Sequence, residues 1–182
     1  MSSCELTSTV PHSQGDRDEP AFFFQDDYYS IYTSGQNIDY IQMRNEVLIV
    51  PLMDTQEVIL TIEPSIAFGE PTLILPGGVT EPNETHEQTA LRELQEEIGF
   101  TAARLDFLGE IRPLSKYFAL QSFIYVAREL TPSKLEGDED YSILMERVLL
   151  KDFEQLIAQK RLLDAHIIAA LFMARSFLEA YE

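Results

Sequence analysis

The stretch from Gly78 to Phe100, GVTEPNETHEQTALRELQEEIGF, constrains the fold of this chain more than any other. It begins at a Pro-Gly-Gly turn (Pro76, Gly77, Gly78), passes a Pro-Asn turn and then becomes a helix. Thr85-His86-Glu87-Gln88 has the T-x-x-Q form of a capping box, which predicts a helix start at Thr85. Gly99 predicts its stop, because glycine most readily takes the left-handed conformation at a helix end. Between these limits, a rotation of about 100° per residue places Leu91, Leu94 and Ile98 on one side and gathers Glu93, Glu96 and Glu97 on another.

That acidic face violates a local preference. Like charges three or four residues apart destabilise a helix by about 0.2–0.5 kcal/mol per pair, and acids near the C-terminus oppose the macrodipole. One reading is a solvated face, the ordinary fate of a charge run. The other is compensation by a cation. Oxygen ligands at this spacing suit Mg²⁺, with Mn²⁺ as a substitute.

With 182 residues, 45% of them hydrophobic, the chain can bury one sizeable core, so one domain is expected. The formal charge of −18 argues against a nucleic-acid or anionic-membrane partner. It also means that a polyanionic substrate needs cations to approach. The single cysteine, Cys4, can form no internal disulfide, and a reducing, cytoplasmic setting is the default. No signal peptide is expected from the first residues, and no apolar run reaches the ~20 residues of a membrane span.

Residues 1–20 read as a flexible polar tail. The aromatic segment 21–37 carries Phe22, Phe23, Phe24, Tyr28, Tyr29 and Tyr32, and fits a hairpin, a dimer contact or a lid over a base. Strands are predicted at Ile38 to Met43, Glu46 to Met53, Glu57 to Glu63 and Thr72 to Leu75. The run VLIVPLM is apolar on both faces, which predicts a central strand covered on both sides. Beyond Gly99, Ala103 to Arg112, Phe118 to Arg128 and Ser142 to Leu150 read as strands. Leu130 to Tyr141 reads as an exposed loop, and Lys151 to Gln159 and Asp164 to Tyr181 as helices. His12, His86 and His166 are too scattered to form a metal set, and no P-loop or nucleophilic serine motif occurs.

Taken as one pattern, the opening stretch is Gly78-x5-Glu84-x7-Arg92-Glu93-Leu94-x-Glu96-Glu97-x-Gly99-Phe100. This matches every fixed position of the box that defines the Nudix hydrolases, and the chain resembles that family. The resemblance implies an α/β fold, an α/β/α sandwich around a mixed β-sheet, with residues 21–182 forming one domain. It implies hydrolysis of a nucleoside diphosphate linked to another group, by metal-activated water. Glu93, Glu96 and Glu97, with the Gly78 carbonyl, would be metal ligands; Arg92 would orient Glu93, and Glu84 would hydrogen-bond around the site.

Two further stretches resemble the branch of the family that hydrolyses ADP compounds such as ADP-ribose, dinucleotides and NADH, releasing AMP. One is Lys116-Tyr117-Phe118, in which Tyr117 is a candidate to stack on adenine. The other is Glu129 to Glu139, ELTPSKLEGDE, which resembles the acidic loop where ADP-ribose hydrolases often carry a catalytic glutamate. Glu139 and then Glu136 are the candidates, a plain solvated loop being the alternative. Departures bear on the substrate. Ile62-Glu63-Pro64 lacks the branch's basic residue and keeps Glu63, a candidate substrate contact; Thr72 to Leu75 lacks its glutamate, and Ser115 stands where a proline often marks ADP-ribose specificity. The alternatives are a house-cleaning hydrolase of nucleoside triphosphates and a non-catalytic nucleotide-binding module. A homodimer is a further expectation, since the aromatic segment needs cover.

Overall fold

The computed structural model describes residues 21–25, 29–33, 39–137 and 141–180; the expected N-terminal tail lies outside them. Two compact units divide the chain. The first comprises Met1–Met43 with Leu114–Ala119, the second Arg44–Pro113 with Leu120–Glu182.

In the first unit, β1 (Ala21–Gln25), β2 (Tyr29–Thr33) and β3 (Asp39–Met43) form an antiparallel meander. The described part of the aromatic segment forms a strand pair. Tyr32 stacks on its cross-strand partner Tyr40 with ring centroids 5.2 Å apart.

The second unit contains β4 (Glu46–Pro51), β5 (Glu57–Ser65), β6 (Glu70–Ile74) and β7 (Gly77–Val79). Helix α1 (His86–Glu93) and a wide turn, Leu94–Ile98, lead into β8 (Phe100–Ile111). A two-residue strand, β9 (Phe118–Ala119), belongs to the first unit and pairs in parallel with β3. The second unit resumes with β10 (Ser122–Pro132), β11 (Leu144–Leu149), α2 (Glu154–Ala158) and α3 (Ala165–Glu179).

One sheet runs β7-β4-β10-β8 and is mixed, β4 pairing in parallel with β10; the other runs β11-β5-β6 and is antiparallel. The apolar run of β4 lies between two neighbouring strands, as its composition predicts. Val47 and Ile49 join Ala90, Leu94, Ile98, Tyr125 and Ala127 in a core beneath α1. Leu48 and Val50 face the other way, into a core with Ile124, Val126, Phe153, Ile167 and Leu171 beneath α3. Alternation along the strand feeds both layers, and each fully buried side chain contributes about 1.5–3 kcal/mol.

The structure corrects several boundaries. Phe118 to Arg128 is not one strand, because the chain leaves β3 after Ala119 and enters the β4 ladder at Ser122. Alternation along a sequence cannot show which partner each end pairs with. Leu130, Thr131 and Pro132 extend β10 rather than opening the loop, since β8 starts early enough, at Phe100, to pair with them. Lys151 to Gln159 divides into a 3-10 turn, Leu150–Asp152, and the short α2.

Candidate active site

The glycine turn and the acidic helix meet as the sequence predicts. Thr85 caps α1 reciprocally: its hydroxyl accepts from the Gln88 amide N–H at 3.3 Å, and its own amide N–H donates to the Gln88 side chain at 2.8 Å. The helix does not continue as α to Gly99. From Leu94 the winding widens into a π-helical turn, closed by Gly99 at φ 73°, whose amide N–H bonds back to the Leu94 carbonyl. Such turns recur at functional sites because they shift side chains around the helix axis.

The acidic face is not solvated. Glu93 and Glu97 are 6% and 7% exposed. Arg92 binds most of the cluster: Nε donates to Glu84 Oε1 at 2.9 Å, and Nη1 to Glu93 Oε1 at 2.7 Å and Glu96 Oε2 at 3.0 Å. Nη2 donates to Glu84 Oε2 at 3.1 Å and the Val79 carbonyl at 3.3 Å. The guanidinium thus ties the glycine turn to both halves of the helix. The bond from Arg92 pulls the Glu84 carboxyl down to about 2 against the effect of its burial, with the Glu81 amide N–H and the Thr89 hydroxyl helping. Arg92 is in turn held above its ordinary value, by Glu84 first and then, against desolvation, by Glu93 and Glu96. Glu97 accepts from the Gly77 amide N–H at 3.2 Å.

Gly78 touches the same group. A Cβ built there would lie 2.2 Å from Glu93 Oε1, so the missing side chain is the space the carboxylate occupies. As the side chains stand, no three His, Cys, Asp or Glu among the described residues are grouped to hold a metal ion. Glu93 and Glu96 turn to Arg92, and Glu97 to Gly77. The donor set nonetheless suits a hard divalent cation: three carboxylates, two of them buried, against a backbone that approaches closely because Gly78 has no side chain.

Beside the glutamates lies a cleft of about 280 Å³, lined by Glu96, Glu97, Lys134, Gly137, Tyr141 and Ile143 among others. Glu63, on β5, accepts from the Thr61 hydroxyl and from the Tyr141 hydroxyl, each at 2.8 Å. Glu136 is exposed on the loop, and Glu139 lies outside the described residues. Tyr117 belongs to the first unit, where its ring is 50% exposed and Lys116 Nζ lies 5.3 Å from its centroid. Sequence reading singled out the acids of the loop and passed over Lys134 and Tyr141. Their partners lie 38 and 78 residues away in the chain, so no local pattern marks them.

A buried carboxylate cluster on a helix that follows a glycine turn, packed against a mixed sheet, defines a class. The NUDIX domain matches residues 43–171, and the chain belongs to the Nudix family as a pyrophosphohydrolase. It is 34% identical over 136 residues to ADP compounds hydrolase NudE of Escherichia coli K12, covering 75% of this chain and 73% of that one. It is 32% identical over 99 residues to an ADP-ribose pyrophosphatase of Bacillus subtilis 168, covering 53% of this chain and 54% of that one. A crystal structure of an ADP compounds hydrolase superposes with a TM-score of 0.75 at 27% identity, covering 92% of this chain and 98% of that one. Among the described residues, no helix is long and apolar enough to cross a membrane.

Proposed function

We propose that the protein hydrolyses the pyrophosphate bond of an ADP-containing small molecule, such as ADP-ribose, a dinucleotide or NADH, and releases AMP. The observation that carries this reading is the two buried carboxylates, Glu93 held by Arg92 and Glu97 by the Gly77 amide N–H, in a chain 34% identical to an ADP compounds hydrolase. Glu93, Glu96 and Glu97 would hold a divalent cation, Mg²⁺ or Mn²⁺, with the Gly78 carbonyl as a further ligand. When bound, that cation neutralises diphosphate charge and lowers the pKa of water.

The chain's own residues prepare the site. Arg92 fixes Glu93 and Glu96 relative to Glu84, and the Gly77 amide N–H orients Glu97. The cluster of Glu84, Glu93, Glu96 and Glu97, two of them buried, carries more negative charge than the single Arg92 guanidinium balances, which favours capture of a cation. Glu136 and Glu139 are the residues assigned to take the water's proton. Glu63 is assigned to the substrate side of the cleft through Tyr141. A homodimer belongs to the same reading and is tested by sedimentation.

The test is a panel of ADP-ribose, NADH, diadenosine polyphosphates and nucleoside triphosphates, each with Mg²⁺ or Mn²⁺. AMP is the expected product, and failure to turn over any ADP compound removes the substrate assignment. Pyrophosphate released from triphosphates alone points to the house-cleaning activity instead; nucleotide binding without turnover points to the non-catalytic module. Glu97→Gln should retain the folded state by circular dichroism and lose activity by a factor on the order of 10² or more, in line with loss of a positioned catalytic group.

A further inference from the structure

We infer that Lys134 binds the anionic diphosphate of the substrate at this cleft; the inference rests on the polyphosphate substrate proposed above. The other cation of the site, Arg92, is fully committed. Its Nε, Nη1 and Nη2 donate to Glu84, Glu93, Glu96 and the Val79 carbonyl, which uses the five N–H donors a guanidinium possesses. A substrate phosphate could bind Arg92 only by breaking the network that holds the glutamates. The segment Ile62-Glu63-Pro64 supplies no basic residue either.

Lys134 lines the cleft together with Glu96 and Glu97 and is the cation among the described lining residues. Its ammonium donates to the Glu96 carbonyl at the end of the acidic helix. An ammonium has three protons, so that bond leaves donor capacity for an anion in the cleft.

The lysine is exposed, but the backbone on both sides of it is tied down. On one side of it in sequence, the Ser133 amide N–H donates to the Gly99 carbonyl at 2.8 Å, and the Ser133 hydroxyl accepts from Gln95 at 2.7 Å. On the other side, the Leu135 amide N–H donates to the Gln95 carbonyl at 3.2 Å. The stem lies over Gly99, where a Cβ would sit 3.4 Å from Lys134 Cδ and 3.8 Å from its Cβ. Gly99 thus serves twice, adopting φ 73° to end the helix and leaving room for the lysine stem. The bond to the Glu96 carbonyl and the stem's place over Gly99 restrict the lysine before substrate arrives, which reduces the entropy lost on binding. In a chain of formal charge −18, one fixed positive charge at the mouth of the acidic site opposes the repulsion of a polyanion.

A rival role is purely structural: a lysine at a helix C-terminus stabilises the helix by itself. The variants Lys134→Met, which keeps the stem, and Lys134→Arg, which keeps the charge, separate the two. Steady-state kinetics of the full chain with ADP-ribose and Mg²⁺, at low and high ionic strength, are measured beside thermal unfolding. We expect Lys134→Met to raise KM about tenfold, the effect of one charge-assisted hydrogen bond. Turnover should change by less than about threefold, Tm should stay near wild type, and Lys134→Arg should recover most of the KM. The KM ratio should shrink as salt screens the charge. An unchanged KM, or activity lost in step with Tm, overturns the proposal. Should the wild-type enzyme cleave triphosphates and no ADP compound, the substrate reading falls, and the same comparison with dGTP decides Lys134 by itself.

Discussion

Gly77 and Gly78 are neighbours with opposite reasons for lacking a side chain. At Gly78 an added methyl meets the end of the Glu93 side chain, which can turn aside without moving the backbone. At Gly77 it meets the Val47 carbonyl at 2.1 Å, inside the β4–β7 ladder, where the backbone has to give. Gly78→Ala should therefore lower kcat/KM by a factor on the order of 10², as misplacement of a positioned group does, with Tm near wild type. Gly77→Ala should destabilise the protein by about 2 kcal/mol in urea titrations, the range of overpacking. Equal stability losses in the two variants would refute the distinction. The box names Gly78 and the Pro-Gly-Gly turn places Gly77 beside it, but only the packed structure says which one serves the fold and which one the carboxylate.

At the scale of elements, the capping box and terminal glycine of α1 were legible because each depends on residues within a few positions in sequence. The π-helical turn between them was not. It depends on Leu94 and Ile98 filling the core beneath α1 while Glu97 reaches Gly77, and these contacts come from β4, β7 and β10. The end of α3 offers a test by pH. Asp164 caps α3 through the His166 amide N–H at 3.0 Å, and His166 Nδ1 lies 2.6 Å from Asp164 Oδ1, with Nε2 3.7 Å from Glu46. Burial alone would lower the His166 pKa, but Asp164 and then Glu46 outweigh it and raise the pKa above the ordinary 6.5. The native state then binds more protons than the unfolded chain, so stability falls as pH rises. The contribution is complete below pH 6.5 and is lost as pH climbs through the raised native value. Urea titrations of wild type and His166→Gln across pH 5.5 to 8.5 should show this slope in the wild type alone; parallel slopes would remove the histidine as its source.

For the whole molecule, a formal charge of −18 together with buried carboxylates leads us to expect that stability depends on cations. Mg²⁺ should raise Tm beyond a control with monovalent salt at matched ionic strength, by about 2.7 kcal/mol of stabilisation when the ion is at 100 times its Kd. Glu97→Gln should blunt that increment, and a shift of the same size in both proteins would assign the effect to diffuse screening instead. The amino-acid sequence by itself determined the glycine turn, the capped helix, the spacing of the glutamates and the two-sided apolar strand. Each is written in periodicities of 2 or 3.6 residues or in the chemistry of neighbouring residues. Tertiary structure alone decided that Glu93 and Glu97 are buried rather than solvated, that Arg92 holds Glu84, Glu93 and Glu96 at once, and that Lys134 and Tyr141 face the cleft. The reason is physical. Burial is set by what the other strands and the distant loop bring to a side chain, and although Arg92 and its three acids lie within one short window, the window does not say how their side chains are turned.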